Sequence, residues 1–169
     1  MDGILQVMAS VQLPDMSRLA AANAHLEPLR LATKSVRVRG LVERSAATDG
    51  FAGVMTYSLA ESIWLADHGG DDILLAFPTA DRSALGDLVA TDHRAVAITV
   101  MVDSVDGIDL IESAVGRGRP PVRVCIDVDA SLRIGRLHIG VRRSPLRSPS
   151  RWPRWRAPSP TVPNSHSWA

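Results

Sequence analysis

A chain of 169 residues that is 46% hydrophobic is long enough for one ordinary domain with a buried core, which excludes a wholly disordered protein. It has no apolar run near the roughly 20 residues that span a membrane, no basic secretory start and a single cysteine, Cys125, so we expect a cytoplasmic protein with no membrane partner. The net charge of +1 hides an asymmetry, because residues 1–129 hold all 18 acidic residues whereas residues 130–169 hold eight arginines and no acid.

Residues 1–14 carry no clear pattern, and Asp15–Leu26 predicts an alanine-rich helix capped by Asp15. From Leu29 onward, short apolar runs alternate with stretches of helical periodicity. The predicted strands are Leu29–Thr33, Phe51–Tyr57, Asp72–Phe77, Val96–Val102 and Val122–Val128. The predicted helices between them are Ser35–Thr48, Leu59–His68, Ala80–Thr91 and Val105–Val115.

Residues at the predicted helix ends support this alternation. Ser58 and Glu61 form an S-x-x-E capping box, and either Asp103 or Ser104 caps the fourth helix. The inward stripe predicted for the helix after Ser58 comprises Leu59, Ala60, Ile63 and Trp64.

Strands about 20–25 residues apart leave room for a helix and two short loops, so the chain predicts parallel βα units. Such units build either a (β/α)8 barrel or a doubly wound sheet. No G-x-G-x-x-G follows a strand and no G-x-x-x-x-G-K-[ST] occurs, which disfavours a dinucleotide-binding domain and a phosphate-loop NTPase.

The C-terminal segment has a different composition. Residues 144–169 contain six of the eleven prolines, three of the four tryptophans and no acidic residue. Proline at this density prevents both helices and strand pairing, so we predict that residues 148–169 are disordered.

Lys34 directly follows the first predicted strand. In parallel barrels the carboxyl ends of the strands form the active-site face, where a desolvated lysine amine becomes a nucleophile able to form a Schiff base. A solvated lysine at a strand end is the alternative.

Three separated motifs resemble one known family. They are LATKSVRVRG at residues 31–40, GVMTYSLAESIWLADHG at residues 53–69 and DDILLAFP at residues 71–78. In this order they resemble the alanine racemase-like barrels that bind pyridoxal 5′-phosphate, in the D-threonine aldolase/D-serine dehydratase branch and its amino acid deaminase/aldolase group. Phe77 stands where that branch has tyrosine.

The resemblance implies an α/β fold, a partial (β/α)8 barrel of about five to six parallel βα units over residues 15–147 with a disordered C-terminal tail. It implies that Lys34 binds pyridoxal 5′-phosphate as a Schiff base. Tyr57 and Ser58, at the end of the second strand, are expected on the same face as Lys34, where they would contact the cofactor. The alternative for Tyr57 is a packing residue with a solvated hydroxyl.

The family also has an arginine near the cofactor, after the fifth strand. Arg133-Ile-Gly135 matches its R-x-G pattern, whereas the glycine-valine ending is matched after His138, so Arg133, Arg136 and His138 all remain candidates. The alternative is a solvated loop. Asp127 and Asp129 lie two apart and serve either acid/base chemistry or loop capping.

We expect no metal site, because His25, His68 and His93 fall in or at the ends of helices and no cluster has metal-ligand spacing.

Three functional hypotheses follow. The first is a pyridoxal-phosphate enzyme acting on a small D-amino or hydroxy-amino acid by aldolase, deaminase or racemase chemistry. The second is a truncated or frameshifted fragment of such an enzyme, because the resemblance ends near Arg147; it would be catalytically weak and would self-associate through open barrel edges. The third and least favoured is nucleic-acid binding through Arg151–Arg156, where arginines would contact phosphates and tryptophans would stack on bases.

Overall fold

The computed structural model describes residues 28–135, 137–141 and 143–147. The chain divides into two compact units, the first ending at Ile126 and the second beginning at Asp127. The predicted helix Asp15–Leu26 and the C-terminal tail lie outside the described residues, so both stay predictions. No helix in the described part of the chain is long and apolar enough to cross a membrane.

The first unit alternates strands with helices throughout its described part. Its strands are β1 Leu29–Ala32, β2 Phe51–Thr56, β3 Ile73–Leu75, β4 Ile98–Val102 and β5 Arg123–Ile126. Its helices are α1 Arg39–Ala46, α2 Leu59–Asp67, α3 Arg82–Leu88, α4 Asp92–Ala97 and α5 Val105–Val115, and a 3-10 turn covers Thr33–Ser35. All five predicted strands are confirmed, with tighter bounds.

The predicted start of the fourth strand is wrong. Val96 and Ala97 were expected to begin the fourth strand, but they end α4. The Thr91 hydroxyl caps this short helix by accepting a hydrogen bond from Arg94 N–H at 3.3 Å. A side-chain cap therefore starts a new helix where apolar composition alone predicted a strand.

The five strands form one sheet in the order β1-β2-β3-β4-β5, and every adjacent pair is parallel. Right-handed crossovers between successive neighbours place the connecting helices on one face of the sheet. A doubly wound sheet would reverse its strand order. The unbroken order confirms the predicted α/β fold with partial barrel architecture.

The core lies between this sheet and its helices. Ile73, Leu75, Ile98 and Val100 are fully buried against Leu85 and other helix residues. In β4, buried residues alternate with half-buried Thr99 and Met101, the period-2 pattern of a strand covered on one face.

The inward face of α2 differs from the prediction. Its buried residues are Leu59, Ser62, Leu65 and Ala66. Trp64 is 48% exposed, because five helical steps from Leu59 rotate it to the opposite side of the helix. The Trp64 ring lies against the His68 imidazole, with centroids 4.4 Å apart.

An ion pair between β1 and the start of β3 crosses over β2. The Arg30 guanidinium donates to both carboxylate oxygens of Asp72 at 2.9 Å and to the Asp72 carbonyl at 3.2 Å. It passes over Gly53, where β2 has one more residue than β1 between paired positions. Gly53 has a φ of +63°, and a Cβ built there would overlap the Arg30 guanidinium and the Asp72 oxygens.

We expect Gly53→Ala to lower the free energy of unfolding by at least about 2 kcal/mol, because it adds left-handed backbone strain to a steric clash. The measurement is urea unfolding followed by circular dichroism. Gly86→Ala is the matched control: it lies inside α3 with open space around it, so alanine should stabilise by about 0.5–1 kcal/mol. Equal stability of the Gly53 variant and the parent chain would contradict the interpretation.

A second ion pair joins α4 to α2. The Arg94 guanidinium donates to both carboxylate oxygens of Asp67, at 2.7 and 2.8 Å, and to the Asp87 carbonyl at 2.9 Å. The hydrogen bonds from Arg94 to the Asp67 carboxylate, and then the charge of Arg94, hold the pKa of Asp67 below its ordinary value.

Because the pKa of Asp67 is lowered in the folded state, the ion pair stabilises above the ordinary Asp pKa of about 3.9 and is lost as the pH falls through the folded value. We expect the difference in unfolding free energy between the parent chain and Asp67→Asn to be largest near neutral pH and to shrink in acid. Denaturant unfolding over a pH series measures it. A difference that grows as the pH falls would contradict the assigned sign.

The described part of the second unit contains an antiparallel hairpin of β6, Leu132–Ile134, and β7, Leu137–Ile139. The five parallel strands agree with the expected five to six units, and among the described residues no sixth parallel strand follows β5. Two three-residue strands separated by only two residues have no room for a crossover, so they pair antiparallel. Gly135 supplies a positive φ of 59° in the turn.

Candidate functional site

The carboxyl ends of β1, β2 and β3 lie at one edge of the sheet and carry a row of side chains. Lys34 Nζ lies 5.2 Å from the centroid of the Tyr57 ring. The Tyr57 ring meets the Phe77 ring edge to face, with centroids 4.7 Å apart. Parallel pairing therefore brings together two residues that the sequence placed on one face, Lys34 and Tyr57, and adds Phe77 beside them.

Lys34 lies in the 3-10 turn after β1 and is exposed. No described carboxylate forms an ion pair with its ammonium, which instead lies over the electron-rich face of Tyr57. Arg37, which follows the turn, stabilises its backbone by donating from Nε to the Lys34 carbonyl at 3.3 Å. The exposure of Lys34 matches the solvated lysine considered as the alternative and not the desolvated amine, and it leaves the primary amine accessible to a carbonyl compound.

Glu61 links the turn that carries Lys34 to the turn that carries Tyr57. One carboxylate oxygen accepts from the Thr33 hydroxyl at 2.7 Å, and the other accepts from Tyr57 N–H at 3.1 Å. Ser58 caps α2 as predicted, since its Oγ accepts from Glu61 N–H at 3.3 Å. The capping box is otherwise altered, because the Glu61 carboxylate binds the residue before Ser58.

Thr33 and this second role of Glu61 were not predicted. The sequence offered one signal, a hydroxyl residue at the end of an apolar strand beside the lysine. Thr33 is only 1% exposed, so its hydroxyl requires a partner within the protein.

Two clefts flank the Tyr57–Ser58 turn. The larger, of about 490 Å³, has Arg37, Arg39 and Trp64 among its lining residues. The smaller, of about 310 Å³, lies toward Phe77 and the segment that follows β3. Tyr57 and Ser58 line both clefts, and the larger is within the range of small-molecule sites.

Two of the three candidates for the family arginine lie in the hairpin of the second unit. Arg133 in β6 is the register partner of His138 in β7, and His138 Nε2 lies 3.1 Å from the Gly140 carbonyl oxygen. Arg136 lies outside the described residues. The solvated loop considered for this segment is a paired hairpin.

Asp129 binds two described segments of the second unit, the loop before β6 and the segment at Arg147. Its Oδ1 accepts from Ser131 N–H at 3.0 Å, and its buried Oδ2 lies 3.1 Å from Arg147 Nε without hydrogen-bond geometry. Hydrogen bonds from the Ser131 hydroxyl and amide, and then the charges of Arg147 and His138, hold the pKa of Asp129 below its ordinary value. The carboxylate caps the loop after Asp129, which is the capping role considered for the aspartates.

We expect Asp129→Ala to increase amide hydrogen exchange at Ser131, because the substitution removes the acceptor of that N–H. Asp127→Ala is the control: the Asp127 carboxylate pairs with Arg143 at 3.8 Å, and it is the Asp127 backbone carbonyl that accepts from the Ser144 hydroxyl. Exchange at Ser131 is measured by NMR at neutral pH in both variants. Unchanged exchange at Ser131 in Asp129→Ala would show that its carboxylate does not hold the loop.

Two of the predicted surface histidines bind backbone carbonyl groups. His68 Nδ1 lies 2.7 Å from the Trp64 carbonyl oxygen, and His93 Nε2 lies 3.0 Å from that of Ala66. His25 lies outside the described residues. Across the part of the chain that the structure covers, no three His, Cys, Asp or Glu side chains are grouped to hold a metal ion.

The geometry defines an α/β protein of the parallel barrel type with an aromatic-flanked lysine at the carboxyl edge of its sheet. No protein-family profile and no curated protein matches the sequence. Among solved structures, the chain is similar to D-threonine aldolase from Filomicrobium marinum, with a TM-score of 0.56, 21% identity and 66% of this chain covered. The match spans only 30% of the aldolase chain. At this identity the likeness shows the fold alone, and that fold agrees with the partial parallel barrel described above.

Proposed function

We propose that this chain is a polypeptide of a pyridoxal-phosphate-dependent enzyme of the alanine racemase/D-threonine aldolase type, acting on small D-amino or hydroxy-amino acids. The observation that carries the proposal is the environment of Lys34. The only lysine of the chain follows the first barrel strand, is unpaired with any described carboxylate and lies over Tyr57 between strand ends. The fold of the D-threonine aldolase neighbour supports the same reading.

Part of what pyridoxal phosphate requires is met by the first unit. An exposed primary amine on a fixed turn suits covalent attachment, and the edge-to-face pair of Tyr57 and Phe77 offers an apolar wall to a flat ring. Arg37 and Arg39 line the larger cleft and have the charge and geometry to hold a phosphate group. The Ser58 hydroxyl accepts from Glu61 N–H and keeps its own hydrogen to donate to an anion.

These residues would have different roles in the reaction. When bound, the cofactor withdraws electrons from the bonds at the α-carbon of an amino acid. Lys34 would hold the cofactor and, once released, accept or return a proton at Nζ. From the sequence pattern alone, Arg133, Arg136 and His138 remain the candidates for the arginine that the family has beside its cofactor.

The test is borohydride reduction in the presence of pyridoxal phosphate, followed by peptide mapping. We expect the reduced pyridoxyl group on Lys34, because no other side chain in the sequence has an ε-amine. Lys34→Arg is the control, since it keeps the positive charge and cannot form the linkage. Label found on the N-terminal amine alone, in equal amount in both proteins, would refute the proposal.

Activity is tested separately, with D-threonine, D-serine and D-alanine as substrates of the full chain plus cofactor. Turnover that depends on Lys34 would assign the reaction among the aldolase, deaminase and racemase chemistries.

A further inference from the structure

We infer that Glu61 is a positioning residue that fixes the Lys34 ammonium over the Tyr57 ring. Its two carboxylate oxygens each hold one of the turns concerned, through the Thr33 hydroxyl on one side and Tyr57 N–H on the other. Lys34 is the next residue after Thr33. The purpose of this arrangement rests on the proposed function, but the geometry is measurable without any cofactor.

The helix turn that carries Glu61 is attached to β2 by buried hydrogen bonds. Behind it, the Thr56 and Ser62 hydroxyl groups are hydrogen bonded at 2.6 Å, and the Ser62 hydroxyl donates to the Ser58 carbonyl at 3.0 Å. Thr56 and Ser62 are fully buried, so this network attaches the first turn of α2 to β2. The carboxylate of Glu61 therefore reaches the β1 turn from a fixed position.

The contact through Thr33 has a chemical consequence for Lys34. Glu61 binds the turn through Thr33, the residue before Lys34, and forms no ion pair with the Lys34 ammonium. An ion pair would favour the charged form of the amine and occupy the atom that must react. Glu61 thus supplies a fixed distance between Lys34 and Tyr57 and leaves Nζ accessible.

The single lysine makes the distance measurable in the full chain. Reductive methylation with 13C-formaldehyde gives one dimethyl-lysine NMR signal beside that of the N-terminal amine, and Lys34→Arg identifies it by its loss. The ring current of Tyr57 should displace this signal. Tyr57→Leu should remove the displacement and Tyr57→Phe should keep it. These two variants therefore give the chemical shifts expected without and with the ring contact.

Glu61→Ala should move the signal to the position found for Tyr57→Leu, because both hydrogen bonds are lost. Glu61→Gln should keep the parent position, because its carboxamide oxygen accepts from Tyr57 N–H and its NH2 donates to Thr33 Oγ1. The Thr33 hydroxyl, which donates to Glu61 in the parent chain, then donates to the Met55 carbonyl oxygen 3.4 Å away. Thr33→Val should move the signal partway. Glu43→Ala is the matched control, an exposed glutamate of α1 paired only with Arg39 among the described residues, and should have no effect.

The parent position in Glu61→Ala would overturn the inference, as would loss of the displacement in Glu61→Gln to the same extent as in Glu61→Ala. If Glu61→Ala does not fold, the parent position in Thr33→Val overturns it and a partial shift supports it. A signal insensitive to Tyr57→Leu would refute the contact itself. Failure of cofactor trapping with these shifts intact would reject the proposed function alone.

Discussion

Each strand from β2 to β5 pairs in parallel with the strand that precedes it in the sequence, and the rest of the described first unit follows from this constraint. Successive right-handed crossovers leave the helices on one face and bury the alternate residues of β3 and β4 beneath them. The same pairing collects the carboxyl ends of the strands at one edge. Lys34, Tyr57 and Phe77 are distant in sequence, yet their side chains form a continuous row there.

The sequence predicted this framework well because the framework depends on local patterns. Five apolar runs of strand length, and a serine three residues before Glu61, are enough to define the units and the start of α2. Placing Lys34 and Tyr57 at one edge required only parallel pairing. The prediction was wrong where two local patterns competed, as at Val96, and where helical rotation was judged from composition, as at Trp64.

The remaining features of the site depend on contacts between distant residues. The capping-box motif predicts that Glu61 binds near Ser58. The hydrogen bond from Thr33 to Glu61 forms only when β1 and β2 are paired. The hairpin of the second unit depends on the short separation of β6 and β7, which a pattern of βα repeats does not contain. Hydrogen bonds across elements therefore determine the geometry of the site, while apolar periodicity determines the elements.

The crossing of Arg30 over Gly53 has a consequence for how β2 is aligned. Arg30 on β1 reaches Asp72 beside β3 only where the intervening strand has no side chain. If β2 slid by two residues along its neighbours, Phe51 or Met55 would occupy that position and block the guanidinium. Gly53 thus favours the observed register of β1, β2 and β3 over registers that place a side chain under Arg30. This contact lies at the amino ends of the strands, opposite to Lys34.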